Sequence, residues 1–281
     1  KLINIFSVNN SKDIDYYLHG KVSISHCPVP LVAIPTTAGT GSEATHFAVL
    51  YVGKDKYSVA HDFILPNFSI VDPQLTYAMP KDVIASTAID ALSQAVESYW
   101  CVNSTDESKI YSTRAITLIM PVLNSLLVNN RENNAIMCEA SNYAGKAINI
   151  TKTTAPHALS YPFTSHYGIK HGHAVGLTMG LFLEANYYFN ETQVQDERGA
   201  AYVKATMEEL YMMFGCAGPK ESRDMWYEML NAIGLEIDFS KLGIGQKQIE
   251  VVIDNINIER MSNHPVRFSK SKISSLLNSC V

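Results

Sequence analysis

The chain has 281 residues, 47% of them hydrophobic and 17% charged, with a formal net charge of -5. That balance describes a globular protein with core enough for one large domain or two ordinary ones, not a disordered chain. Its lysines and arginines are scattered with no basic run, which excludes a nucleic-acid surface, and no apolar run reaches the roughly 18 residues a membrane span needs.

The opening stretch KLINIFS carries no initiator methionine, signal-peptide pattern or capping residue. It reads as the interior of a helix, so the chain reads as a piece of a longer protein. Three apolar, β-rich runs follow, each closed by turn signals: PLVAIPTT (30–37), HFAVLYV (46–52) and FSIVD (68–72). From residue 81 the period becomes helical. Pro80 opens a run with Asp82 in its first turn and apolar positions at Ile84, Ile89, Leu92 and Val96. Further helices are predicted over 107–129, over 135–150 and onward to 272–280, punctuated by Gly168, Gly215, Gly218, Gly234, Gly243 and Gly245. The fold class is therefore α/β followed by all-α: a partial α/β unit over 1–80 and a helical unit over 81–281. Cys27, Cys101, Cys138, Cys216 and Cys280 are odd in number and form no CxxC pair. They read as reduced thiols of a cytoplasmic protein.

Three stretches carry chemistry. TTAGTGSE (36–43) follows an apolar strand, and its small hydroxyl residues let backbone N–H groups approach a phosphate or ribose; such loops also serve as plain turns. Asp90 and Gln94 lie four apart and share a helix face, where a lone buried carboxylate is costly. A carboxylate at a helix end, partnered by backbone or lysine, is the plainer alternative. Four of the nine histidines, His157, His166, His171 and His173, fall within residues 153–176. Pro156 opens a helical turn that puts Tyr161 on the face of His157, while Gly172 permits a tight approach beside His171. Two imidazoles and a carboxylate from another helix make an N,N,O set for a divalent metal, although a lone helical histidine is more often structural. Lys152 and Lys170 flank this stretch, with hydroxyls at Thr151, Thr153 and Thr154, and suit an anionic substrate, although two lysines that merely face solvent are the plainer alternative.

Together IPTTAGTGSEAT, PNFSIVDPQLTYAMPKDVIASTAIDALSQAVESY, HALSYPFTSHYGIKHGHA and NHPVRFSKSKISSLL resemble the iron-containing (group III) alcohol dehydrogenase family, over essentially the whole chain. The resemblance implies an NAD- or NADP-dependent oxidoreductase with Fe2+ or Zn2+ in a cleft between an α/β and a helical domain. The family's glycine-rich GGGS turn would lie ahead of Lys1, so the chain as given is expected not to turn over alone. The family's ligands match Asp90, Gln94, His157 and His171, with Gln94 replacing the usual His. A further family His matches Tyr161. Thr36, Thr37, Ser42, Thr45, Lys56 and Leu75 fall where family members contact cofactor.

AGKAINITKTTAPHALSYPFTSHYGIKHGHA and DALSQAVESYW are most similar to the phosphonate-associated branch, which implies reduction of phosphonoacetaldehyde to 2-hydroxyethylphosphonate. Tyr161 and His173 are then the proton-transfer candidates. A polyol or simple-alcohol dehydrogenase, or a catalytically inactive binding relative, is the rival reading. The implied partners are a small aldehyde or alcohol and a second copy of the chain, with no nucleic acid and no membrane.

Overall fold

The computed structural model describes residues 1–10, 12–53, 55–128, 130–256 and 261–281. Two short helices, α1 (Leu2–Val8) and α2 (Ile14–Leu18), come first. Strand β1 (Val32–Ala33) is followed by β2 (Phe47–Val52) and β3 (Asp55–Ala60), an antiparallel hairpin that sets Phe47 opposite Ala60. Strand β4 (Phe68–Ser69) returns to pair in parallel with β1.

The predicted strand over 46–52 is thus β2, while those over 30–37 and 68–72 shrink to two residues each. Prolines stand on both sides of each short strand, Pro30 and Pro35, then Pro66 and Pro73, and proline has no N–H to give a ladder. β3 was not expected, because Asp55, Lys56 and Ser58 hide it from an apolar-run reading.

Nine helices follow among the described residues: α3 (Lys81–Trp100), α4 (Asp106–Val122), α5 (Arg131–Thr151), α6 (Ala155–Tyr167), α7 (His171–Ala185), α8 (Ala200–Met213), α9 (Pro219–Ala232), α10 (Gln246–Asp254) and α11 (Lys270–Asn278). Thr105 starts α4 by a reciprocal cap: its hydroxyl accepts from Ser108 N–H, and Ser108 Oγ accepts from Thr105 N–H. The helix predicted to reach 129 ends at Val122. Pro121 carries no N–H there, and the chain tightens into a 3-10 turn at Leu123–Ser125.

Helix α3 is the axis of the core. From Ala85 to Trp100 every residue except Thr87 is buried, as expected of a helix apolar on nearly all sides. Its alanines and serines admit α4, α5 and α7 close against it. Each of Ile89, Leu92, Val96 and Trp100, at most 1% exposed, contributes about 1.5–3 kcal/mol by leaving water. A smaller cluster, Ile5, Val59 and Ile64, sits under the hairpin.

The loop over 36–43 is seated by contact between glycines. A Cβ on Gly41 would lie 2.4 Å from Gly145 Cα on α5. No helix among the described residues is long and apolar enough to cross a membrane.

Candidate metal centre

Asp90, Gln94 and Glu97 follow one another at i, i+4 and i+7 along α3, so their side chains form a polar stripe on an apolar helix. They are 4%, 4% and 0% exposed. His157 stands in the first turn of α6, after Pro156, and His171 is the first residue of α7. His171 reaches the stripe because its neighbour Gly172 lies against α3; a Cβ there would stand 1.9 Å from Ser86 O.

The three helices bring Asp90, His157 and His171 together. Asp90 Oδ1 is 3.3 Å from His157 Nε2 and 3.8 Å from His171 Nε2. The three ligand atoms lie within 4.8 Å of one another, and this is the one such group of His, Cys, Asp or Glu among the described residues. Asp90 Oδ1 and Gln94 Oε1 are both buried without a hydrogen-bond partner. An orphaned carboxylate oxygen beside two imidazole nitrogens is costly in a protein interior and suits a bound cation. The donor set therefore fits a divalent metal.

The electrostatics follow from this geometry. Burial pushes the Asp90 carboxyl up, but the imidazoles of His157 and His171 outweigh it and hold the group below its ordinary range. Burial likewise pushes His157 down, yet the carboxylates of Glu97 and Asp90 on either side raise it to about 9. At His171 burial prevails over the attraction of Asp90, and the imidazole is lowered to about 4. Ser160 Oγ donates to His157 O at 2.7 Å and lies 3.3 Å from His171 Nδ1. With its proton committed, the hydroxyl accepts from Nδ1–H and leaves Nε2 of His171 facing Asp90.

A cavity of about 700 Å³ is lined by Ala158 and Tyr161 of α6, although neither His157 nor His171 is among its lining residues. The Tyr161 ring stacks on His171 at 5.8 Å, and Lys56 Nζ stands 3.1 Å over the Tyr161 ring. Lys152 lines the same cavity, along with His19, Phe47, Thr153 and Asn263. Among the described residues Lys152 is the one non-glycine with positive φ, at φ 62 and ψ -176. Such backbone costs of order 1–3 kcal/mol and persists where surroundings impose it.

Other residues singled out in the sequence lie elsewhere. Lys170 forms an ion pair with Asp82 on the half-exposed start of α3 and does not line the cavity. His173 donates from Nε2 to Glu236 O at 2.7 Å, away from the cluster, and burial lowers its pKa. His166 lies near the end of α6, its ring tilted against that of Tyr167 at 6.1 Å. Thr36 and Thr37 follow β1, Ser42 opens the 3-10 turn Ser42–Ala44, and Leu75 lies half exposed in the turn Pro73–Thr76. The Thr45 hydroxyl already accepts from Lys1 Nζ at 3.0 Å. Of the residues expected at the cofactor, only Lys56 lines the large cavity.

Sequence reasoning missed Glu97 and Ser160. The signal for Glu97 was present: a charge seven residues after Asp90 on the same buried stripe.

Two family models match the chain, "Fe-containing alcohol dehydrogenase family, C-terminal" over residues 84–281 and "Iron-containing alcohol dehydrogenase" over 1–73. Phosphonoacetaldehyde reductase of Streptomyces viridochromogenes is 30% identical over 253 residues, 89% of this chain and 63% of that protein. Long-chain-alcohol dehydrogenase 1 of Geobacillus thermodenitrificans is 38% identical over 175 residues, 61% of this chain and 44% of that protein. The chain thus spans less than two thirds of either curated relative. Among solved structures, sulfoacetaldehyde reductase from Bifidobacterium kashiwanohense in complex with NAD+ superposes with a TM-score of 0.85. It is 30% identical, covering 99% of this chain and 71% of that one.

Proposed function

Because the chain belongs to the iron-containing alcohol dehydrogenase family, we propose that it performs a metal-dependent, NAD(P)-linked reduction of a small aldehyde to a primary alcohol. Phosphonoacetaldehyde, giving 2-hydroxyethylphosphonate, is the leading substrate. The observation that carries the reading is the meeting of Asp90, His157 and His171, with Asp90 Oδ1 buried and without a hydrogen-bond partner. When bound, Fe2+ or Zn2+ supplies a Lewis acid for the carbonyl oxygen, and NAD(P)H supplies the hydride.

The chain's own residues do the rest. Asp90, His157 and His171 hold the metal. Gln94 offers a neutral amide oxygen, a poorer donor than imidazole, and is at best a weak fourth ligand. Tyr161, on the cavity wall beside His171, is the preferred proton-transfer group, since His173 spends its Nε2–H on Glu236. Lys152 recognises the anionic end of the substrate, in the cavity that Lys56 and Tyr161 also line. Lys170, held by Asp82, is the weaker of the two lysines first considered. Thr36, Thr37, Ser42, Thr45, Lys56 and Leu75 are assigned to the cofactor. The same reading divides the chain near residue 80 into nucleotide-binding and helical domains and makes the protein a cytoplasmic homodimer. Two similar proteins whose names specify aldehydes bearing phosphonate and sulfonate groups support the anionic substrate.

The test is a substrate panel on the full-length protein, with metal content measured alongside NADH and NADPH oxidation. Lys152→Met should raise KM for phosphonoacetaldehyde on the order of tenfold or more, the worth of one charged hydrogen bond. The KM for a neutral aldehyde of similar size should hardly move. Equal effects on both would remove the anionic substrate. Gln94 and Tyr161, where the family pattern has histidine, favour one rival, a non-catalytic binding relative; metal-loaded protein that reduces no aldehyde would select it.

A further inference from the structure

Helix α6 begins without a side-chain cap of its own; its N-cap residue Thr154 makes no such bond. The orphaned donors of its first turn are met instead by a residue of α3. Glu97 Oε1 accepts from Thr154 N–H at 2.9 Å, from the Thr154 hydroxyl at 2.9 Å and from His157 N–H at 3.3 Å. Trp100 Nε1 donates to the Thr154 oxygen at 2.9 Å, which commits the hydroxyl proton to Glu97. The other carboxylate oxygen, Oε2, takes Nδ1 of His157. The carboxylate is 0% exposed. An ionised group so placed persists only when paired and fully hydrogen-bonded, and a helix N-terminus is itself favourable for negative charge.

We propose that Glu97 is the positioning residue of the metal centre: one buried carboxylate both starts α6 and fixes the ring of His157 so that Nε2 faces Asp90. The inference rests on the metal reading above. Because Oε2 can only accept, Nδ1 must carry a proton, and the Nε2 lone pair is left for a cation. The same carboxylate accepts the backbone N–H of His157, so ring and backbone are referenced to one rigid point on α3. Asp90 does neither job, since its Oδ1 faces Nε2 of both histidines, and Gln94 accepts from no donor in the first turn of α6.

Glu97→Gln separates orientation from capping. Its amide oxygen still accepts from Thr154 and His157 N–H, so the variant should fold with a Tm close to that of the wild type. Its NH2 group, however, meets Nδ1 with a donor and drives His157 to the Nε2–H tautomer, which cannot bind metal. Zinc or cobalt affinity should fall about 10- to 100-fold. Thr154→Ala is the control: it removes a donor to the same carboxylate, so it should lower Tm yet leave metal affinity intact. Should Glu97→Gln fail to fold, 15N NMR of His157 in the zinc-loaded wild type still decides, since a protonated, hydrogen-bonded Nδ1 is required. Wild-type affinity in Glu97→Gln, or an unprotonated Nδ1, overturns the proposal. A wild type that binds no metal sinks the functional reading instead.

Discussion

Gly172→Ala should empty the centre without replacing a ligand. A Cβ at this position would stand 1.9 Å from Ser86 O and 2.9 Å from Asp90 Cβ. Ordinary contact begins near 3.4 Å, so the start of α7 must retreat from α3 by about 1.5 Å or α3 must bend. Ligand bonds of roughly 2.1 Å let two donors share a metal only if they lie within about 4.2 Å of each other. His171 Nε2 and Asp90 Oδ1 are already 3.8 Å apart, and the retreat carries them to about 5 Å, outside that limit. Overpacking of this kind costs about 1–3 kcal/mol, and at about 2–4 °C per kcal/mol for a chain this size the Tm should drop by several degrees. The assay is metal content after gel filtration, with Tm of the metal-free protein measured beside it. Ser86→Gly should not rescue the variant, because the clash is with a backbone oxygen. A Gly172→Ala protein that keeps stoichiometric metal and a wild-type Tm would refute this account of how His171 is delivered.

Two further outcomes are expected. His157→Ala or His171→Ala should abolish metal retention and activity together, whereas Gln94→Ala should leave much of both; equal losses in all three would make Gln94 a full ligand. Burial lowers His264 to about 3, below the ordinary value of 6.5. The unfolded chain therefore takes up a proton there that the folded chain refuses, so stability is lost as pH falls from about 6.5 toward 3, at about 1.4 kcal/mol per pH unit from this group. Urea titrations across that range should show a slope shallower by about one proton in His264→Gln. Identical slopes would exclude His264 as a source of acid sensitivity.

The helical half of the chain was legible because α3 and α5 through α7 carry long apolar periods and punctuating glycines. Asp90, His157 and His171 stood out by residue type. What joins them did not, because Glu97 reads in sequence as one more charge near a helix end, and only burial turns it into the partner of three N–H groups and a hydroxyl. The strands were less legible for the opposite reason. β3 is polar enough to pass for a loop, while apolar 30–37 and 68–72 are cut short by prolines. Lys152 and Lys170 are equivalent by spacing. An α3 carboxylate, Asp82, takes one, and a positive φ sets the other on the cavity wall.

The proposed donors are scattered over three helices, and His171 follows Asp90 by 81 positions along the chain. At roughly 5–20 residues per second of synthesis, Asp90 emerges from the ribosome about 4 to 16 s before His171. Until His171 emerges, a nascent chain therefore offers no complete chelate of the three. An interior assembled around Glu97 and the glycine contact of α7 presents all three donors to an ion at once. Which ion then enters depends on what the cell supplies to a finished fold, so metal content should follow growth conditions rather than translation.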